Sequence, residues 1–124
     1  MDELIKGIQN LAGKVDLFIL ANNKLALDNA TKFAGISIST KTPLFAYSER
    51  PVENGAAAAL VARNDALGNM LAESVVDVVV KGKPISQVAV KTDPDPAVVI
   101  NESTMNALGI KFPPDIMNKA KIVK

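Results

Sequence analysis

The sequence has 124 residues, a length that favours one domain, and 48% of them are hydrophobic, enough to form a packed core. Its 14 basic and 13 acidic residues form no basic cluster, so we expect neither a nucleic-acid nor a membrane partner. Cysteine and histidine are absent, which excludes disulfides, thiolate or imidazole metal sites, and catalysis by Ser-His-Asp or Cys-His groups. We therefore expect no cofactor and no enzymatic activity.

The chain opens with a predicted helix and continues into a predicted strand. Apolar side chains recur at helical spacing in residues 2–12, and Gly13 ends the helix. Residues 15–20 form a short apolar run typical of a buried parallel strand. An α/β domain of this kind normally begins with a strand, whereas this sequence begins with a helix. The pattern therefore resembles a sequence that starts partway through such a fold.

A second helix and strand follow. Asn22 or Asn23 can cap a helix whose apolar positions extend to Ala34. Thr42-Pro43 ends the connection, and residues 44–46 are predicted to form a strand. The result is a strand–helix–strand unit, in which we expect residues 15–20 and 44–46 to pair in parallel with a right-handed crossover.

The middle of the chain is ambiguous until its longest helix. Residues 51–55 contain proline and Asn-Gly and predict a loop, whereas the alanine-rich residues 56–62 fit a strand or a helix equally well. The next helix is predicted over residues 65–80, and Gly82 follows it. Its apolar side chains, called the helix stripe below, are Leu67, Met70, Leu71, Val75, Val78 and Val79.

The last third contains short elements. Residues 88–90 and 97–100 are predicted strands on either side of a proline-rich loop with two acidic residues, which we expect to be solvated. Asn101 can cap a helix over residues 102–108 that Gly109 ends. A final helical turn begins at Pro113-Pro114, and the chain is then expected to fray.

Candidate ligand-binding residues follow the first two predicted strands. Ligands of parallel sheets gather beyond the carboxyl ends of strands, which selects residues 21–24 and 47–50. These segments supply amides, a hydroxyl, a phenol and charges of both signs, from Asn22, Asn23, Tyr47, Ser48 and Glu49 among others. Helix capping by the asparagines and ordinary loop charges explain the same residues equally well. Asp16 precedes its strand and is expected at the surface.

Several short motifs occur in a collinear order that resembles a known family. They are Pro43-Leu44-Phe45-Ala46, Val52-Glu53-Asn54-Gly55-Ala56, Leu67-Gly68, Val80-Lys81-Gly82-Lys83-Pro84, Val99-Ile100-Asn101 and Ala107-Leu108-Gly109-Ile110. In this order they look like the C-terminal portion of ABC-transporter substrate-binding proteins of the tryptophan/tyrosine-type group. The resemblance extends from about residue 8 to residue 120.

This resemblance implies a type I periplasmic binding-protein fold. The chain would be an incomplete, parallel-sheet, Rossmann-like lobe from which the N-terminal lobe is missing. Residues 1–62 would form the ligand-binding lobe, residues 63–92 the hinge crossing with a helix packed on the missing lobe, and residues 93–124 the return to the C-terminal lobe. In that family a small polar solute, such as an amino acid, is closed between two lobes and delivered to an ABC permease.

The resemblance also implies a location. The full-length protein would be periplasmic or a lipoprotein at the cell surface, although residues 1–6 lack the features of a signal peptide and no segment reaches the length of a membrane span. Without the second lobe, the helix stripe would be exposed, so we expect the isolated chain to self-associate.

The family's ligand-binding loops fall on the strand-end segments found above. Only Asn23 and Glu49 match the family's usual residues there. A further ligand position, commonly acidic, falls on Arg63, where a guanidinium would favour a carboxylate or another anion. A different function on the same fold, the ligand-sensing core of a transcriptional regulator, would require a helix-turn-helix that this sequence does not show.

Overall fold

The computed structural model describes residues 2–124 and separates them into two compact units. The first unit contains the described residues up to 61 together with residues 97–124, and the second contains residues 62–96. Among the described helices, none combines the length and the apolar character needed to cross a membrane.

The first unit contains most of the regular structure. Its elements are α1 (Asp2–Leu11), β1 (Phe18–Ile19), α2 (Lys24–Asp28), α3 (Ala30–Ser39), β2 (Leu44–Ala46), α4 (Glu49–Glu53), β3 (Ala58–Val61), β4 (Ala97–Asn101), α6 (Glu102–Leu108), α7 (Pro114–Met117) and β5 (Lys121–Val123). The second unit contains α5 (Asn64–Val75), a π-helical turn (Val76–Val80) and a 3₁₀ turn (Ile85–Gln87).

The five strands form one sheet in the order β1-β2-β3-β4-β5. Strand β1 pairs with β2 in parallel, with Phe18 beside Leu44, which confirms the predicted pairing of residues 15–20 with 44–46. The β2–β3 and β4–β5 pairs are also parallel, whereas β3 and β4 are antiparallel. The α/β class with a mainly parallel sheet is therefore confirmed.

The alanine-rich segment, for which the sequence left strand and helix open, forms a buried strand. Residues 58–61 form a strand, and Ala56, Ala57, Ala58 and Ala59 are all less than 4% exposed. Strand β3 lies between β2 and β4, and its small side chains let the helices on both faces of the sheet pack close to the backbone. The core around them is mainly aliphatic, as the low aromatic content indicates, and Phe33 is its buried aromatic residue.

Two predictions about helices were wrong. The helix predicted from Asn23 to Ala34 is broken at Asn29, whose side-chain amide donates to the Leu25 carbonyl oxygen at 2.9 Å and whose backbone N–H caps α2. The loop predicted at residues 51–55 is partly helical, because residues 51–53 belong to α4. Pro51 is tolerated there because it lies in the first turn, where backbone N–H groups have no intrahelical acceptor.

Two predictions about strands were also wrong. Residues 88–90 form no strand, because the backbone N–H of Val88 closes a 3₁₀ turn on the Ile85 carbonyl and Val90 is 94% exposed. The C-terminal residues do not fray but form β5, which pairs Ile122 with Ile100 of β4. The loop after α6 and the short helix α7 return the chain to β4, an arrangement that the local sequence does not indicate.

The second unit has no fully buried residue among residues 62–96. Helix α5 continues into the π-helical turn, in which the Lys81 backbone N–H donates to the Val76 carbonyl oxygen at 3.0 Å. Four members of the helix stripe are exposed: Leu67 by 44%, Leu71 by 67%, Val75 by 49% and Val79 by 75%.

Candidate functional site

The candidate site lies where β1 and β2 end. These strands run in parallel, and the Leu20 backbone N–H donates to the Phe45 carbonyl oxygen at 2.8 Å at their carboxyl ends. The loops that follow therefore leave the sheet at the same edge. This arrangement brings residues 22–23 and 47–49 to one edge of the first unit, as the sequence predicted for these loops.

The two asparagines after β1 differ in their local role. Asn23 has an extended backbone and caps α2, with its side-chain oxygen accepting the Ala26 backbone N–H at 2.9 Å. The capping interpretation of Asn23 is thus confirmed, and Asn22 is exposed beside it without a capping role. Asn22 is consequently the asparagine whose side chain a ligand can engage without competing with a helix cap.

The loop after β2 combines an exposed phenol with a tethered carboxylate. Tyr47 is 56% exposed, and Ser48 occupies the N-cap position of α4. The Glu49 carboxylate accepts a hydrogen bond from the Lys121 ammonium of β5, which raises the pKa of Lys121 above its ordinary value. Sequence reasoning missed this partner, because 72 residues separate the two side chains.

Two apolar concavities adjoin these loops. The first, called the sheet depression, measures about 200 Å³ and is lined by Leu17, Ile19, Phe45, Ala46, Tyr47 and Leu60. On the other side of β1, Ala21 and Asn23 border an apolar groove of about 380 Å³, called the edge groove, between β1 and helices α1 and α2. The polar loops after β1 and β2 therefore lie beside two apolar concavities, an arrangement found in binding sites for small amphipathic ligands.

Arg63 belongs to the second unit and is held there by Asp93. The Asp93 carboxylate accepts hydrogen bonds from the Arg63 backbone N–H at 2.8 Å and from its Nε and Nη2 at 3.3 Å each. Hydrogen bonds from Arg63 and from the Asp95 backbone lower the pKa of Asp93 to about 2. A second carboxylate, that of Asp95, lies 3.9 Å from Nη1.

These contacts change the interpretation of the acidic loop. The Asp93 side chain is only 1% exposed, so the expectation that both acidic residues are solvated is wrong for Asp93 and correct for Asp95, which is 87% exposed. Arg63 meets two carboxylates of its own chain. A preference for an anionic solute therefore does not follow from its charge alone.

Among the side chains that the structure describes, no group of three or more acidic residues is placed to hold a metal ion. Asp16 is exposed ahead of β1, at the opposite end of the strand from the candidate site, as expected.

The family model described as ABC transporter substrate binding protein matches residues 1–124. A curated relative, the tyrosine-binding protein of Clostridioides difficile strain R20291, is 27% identical over 109 residues, which are 88% of this chain and 31% of the relative. The chain thus spans less than a third of that relative's length.

Solved structures agree on the fold. A ligand-free, open substrate-binding protein with adhesive properties from Clostridium difficile is 28% identical, with a TM-score of 0.72 over 99% of this chain and 41% of its own. An ABC domain from Streptococcus pneumoniae in complex with L-Trp is 22% identical, with a TM-score of 0.70 over 98% of this chain and 41% of its own, and it supports the fold alone. With the family model matched from end to end, this chain belongs to the ABC transporter substrate-binding protein family.

Proposed function

We propose that this chain is part of the solute-binding component of an ABC importer and binds a small polar solute, an amino acid or a similar molecule, between two lobes. The observation that carries the proposal is the match of the family model to residues 1–124. The relative named for tyrosine binding supports an amino acid as the class of solute. In this role the protein hands its solute to an ABC permease, acts outside the cytoplasm as a periplasmic protein or a surface lipoprotein, and catalyses no reaction.

The proposed solute contacts are the six candidate residues that the sequence selects. They are Asn22, Asn23, Tyr47, Ser48, Glu49 and Arg63. The amides, hydroxyls and charges would bind the amino and carboxylate groups, and the sheet depression beside Tyr47 would receive an apolar part of the solute.

The isolated chain should bind such a solute weakly. It corresponds to 41% of the length of the solved relatives, and an open site buries much less of a ligand than a site closed between two lobes. We therefore expect a dissociation constant well above micromolar for the 124 residues alone.

Nuclear magnetic resonance titration tests the proposed site at such affinities. Adding L-tyrosine or L-tryptophan to low-millimolar concentration should shift the backbone amide signals of residues 21–24 and 47–49. The Asn22→Ala and Tyr47→Ala variants should reduce these shifts, and both leave the Asn23 cap of α2 in place. The matched control is Ser103→Ala, an exposed position on α6.

Three results would count against the proposal. Shifts confined to other residues would remove the site, and the absence of any shift across a panel of amino acids would remove this class of solute. Submicromolar binding in calorimetry would contradict a binding site shared between two lobes.

Self-association of the isolated chain is part of the same proposal. The exposed members of the helix stripe would lie against a second lobe in a two-lobe protein, and burying an aliphatic side chain is worth about 1.5–3 kcal/mol. Leaving several of them in water is unfavourable, so copies of the chain should associate at high concentration. Sedimentation equilibrium measures this, and a single monomeric species at all concentrations would contradict it.

A further inference from the structure

Lys121 of β5 lies at the edge of the sheet from which the candidate loops leave. Strand β4 is antiparallel to β3 and β5 is parallel to β4, so β5 begins at the edge where β2 ends. Strand pairing places four residues in one row across the sheet: Ala46, Ala59, Val99 and Lys121. Ala46 directly precedes Tyr47 of the candidate loop. The last residue of β2 and the first residue of β5 therefore lie at the same level of the sheet.

The Lys121 side chain also lies on the face of the sheet that α4 covers. Residues paired across neighbouring strands direct their side chains to one face. Ala46, Ala59 and Val99 belong to one core cluster, which also contains Val52 of α4. The register of β5 thus directs Lys121 towards α4, where its ammonium donates a hydrogen bond to Glu49.

The contact between Lys121 and Glu49 differs from a local surface ion pair. Among the described residues of the first unit, the other ion pair joins Lys24 to Asp28, at positions i and i+4 of α2. Lys121 and Glu49 are 72 residues apart, and their contact joins β5 to the loop after β2. The hydrogen bond with Glu49, together with the charges of Glu49 and Glu53, raises the pKa of Lys121. The lysine is therefore a charged group at the candidate site.

This pair offers the two charges that an amino acid needs from its binding site. The lysine side chain ends in an ammonium group like the α-ammonium of an amino acid, and the Glu49 carboxylate accepts it. One hydrogen bond joins Nζ to Oε1, whereas an ammonium has three N–H groups and a carboxylate two acceptor oxygens. A zwitterion can donate its ammonium to the carboxylate and accept from the lysine with its own carboxylate. The four charges then alternate in sign, so each lies beside two of opposite sign.

We propose that Lys121 is a further solute-binding residue, which binds the carboxylate of a zwitterionic amino acid while Glu49 binds its ammonium. This inference rests on the proposed function and deepens it, because it states which charged groups the solute must carry. A solute with an ammonium alone would gain nothing from Lys121. A solute with a carboxylate alone would gain nothing from Glu49 and would be repelled by its charge.

Three probes of similar shape separate the roles of the two residues. L-tryptophan carries both groups, tryptamine only the ammonium, and indole-3-propionate only the carboxylate. Nuclear magnetic resonance titration compares their affinities through the amide shifts of residues 47–49. Lys121→Met should weaken binding of L-tryptophan and indole-3-propionate by about threefold or more, and should leave tryptamine binding unchanged or stronger. Glu49→Gln should weaken binding of L-tryptophan and tryptamine and spare indole-3-propionate.

Two further variants and one measurement on the unaltered chain serve as controls. Lys121→Arg should retain most of the L-tryptophan binding, because a guanidinium also binds carboxylates. Lys119→Met removes the same charge two residues away and should leave the binding of all three probes unchanged. In the wild-type chain, L-tryptophan and indole-3-propionate should shift the ε-methylene signals of Lys121 more than tryptamine does. Where another amino acid binds more tightly, its amine and its deaminated acid replace the two analogues.

The results separate this inference from the proposed function. Equal weakening of all three probes by Lys121→Met would show that the lysine only supports the loop. Tighter binding of L-tryptophan by this variant would show that the lysine competes with the solute's ammonium, and unchanged binding would show that it does not touch the solute. Each of these results overturns the inference and leaves the proposed function in place. If no amino acid shifts residues 21–24 or 47–49 of the wild-type chain, both fail.

Discussion

Asn101 shows how one side chain connects three segments of the first unit. It is 5% exposed, its amide Nδ2 donates to the Val52 carbonyl oxygen at 2.9 Å, and its Oδ1 accepts the Thr104 backbone N–H at 2.8 Å. It thereby caps α6 and ties the end of β4 to α4. Both Val52 and Asn101 belong to motifs on which the family resemblance rests, so those motifs describe the scaffold.

Replacing Asn101 should be costly for stability. Asn101→Ala removes a helix cap and leaves the Val52 carbonyl unpaired in the interior, so we expect the free energy of unfolding to fall by about 2–4 kcal/mol. Urea denaturation measures this. Asn23→Ala is the matched control, because it removes an exposed cap alone and should cost about 1 kcal/mol. Equal losses for the two variants would show that the buried hydrogen bond contributes nothing.

Acid should weaken the link between Asp93 and Arg63 only at low pH. The pKa of Asp93 is lowered from 3.8 to about 2, so this contact stabilises the fold above pH 3.8 and is lost as the pH falls through about 2. A carbon-13 titration of the Asp93 carboxyl should show a midpoint near 2, and Arg63→Ala should raise it. Arg50→Ala, in the other unit, is the control; a similar rise in that variant would contradict the assignment.

Side-chain contacts between residues close in the sequence could be predicted from the sequence. The caps at Asn23 and Asn101 follow from side chains three positions before the N–H groups that they accept. The contact between Arg63 and Asp93 spans 30 residues and the one between Glu49 and Lys121 spans 72. No local pattern indicates such pairs, which is why Arg63 was interpreted as a cation open to an anionic solute.

The turn between α4 and β3 depends on a glycine in a left-handed conformation. Gly55 has φ of 104°, and a Cβ atom there would lie 3.1 Å from the Ala34 Cβ of α3. Gly55→Ala should therefore lower the free energy of unfolding by about 1–3 kcal/mol. Gly35→Ala is the matched control, since a Cβ atom at that position would have no neighbour within 4 Å and α3 should gain up to about 1 kcal/mol. Urea denaturation measures both variants, and an unchanged free energy of unfolding for Gly55→Ala would contradict this expectation.

Elements were predictable where periodicity and capping agree. The parallel pairing of β1 with β2 and the helix over residues 102–108 are both confirmed. The antiparallel pairing of β3 with β4 was not foreseen, because it depends on where the chain returns after residues 62–96. Strand β5 was missed for the same reason: its partner β4 lies some 20 residues earlier and is separated from it by two short helices.

At the scale of the molecule, the two units differ in how much of their structure the sequence indicates. Among the described residues, every buried hydrophobic residue belongs to the first unit, and most of the scaffold motifs lie in it. The candidate loops could be located because strand ends in a parallel sheet share an edge. Their ligand could not be identified, because only Asn23 and Glu49 match the family's usual residues and because the chain spans 41% of the length of the solved relatives.

Hydrogen exchange should separate the two units. Opening α5 exposes little apolar surface, because no residue from 62 to 96 is fully buried, whereas opening β3 and β4 disrupts alanines, Val99 and Ile100 that are nearly inaccessible. At concentrations where the chain is monomeric, amides of residues 68–75 should exchange at least about 100-fold faster than those of residues 98–101, a difference of about 2.7 kcal/mol. Mass spectrometry of deuterated peptides measures both segments in one experiment. Protection of α5 equal to that of β4 would instead show that the helix stripe is covered in solution.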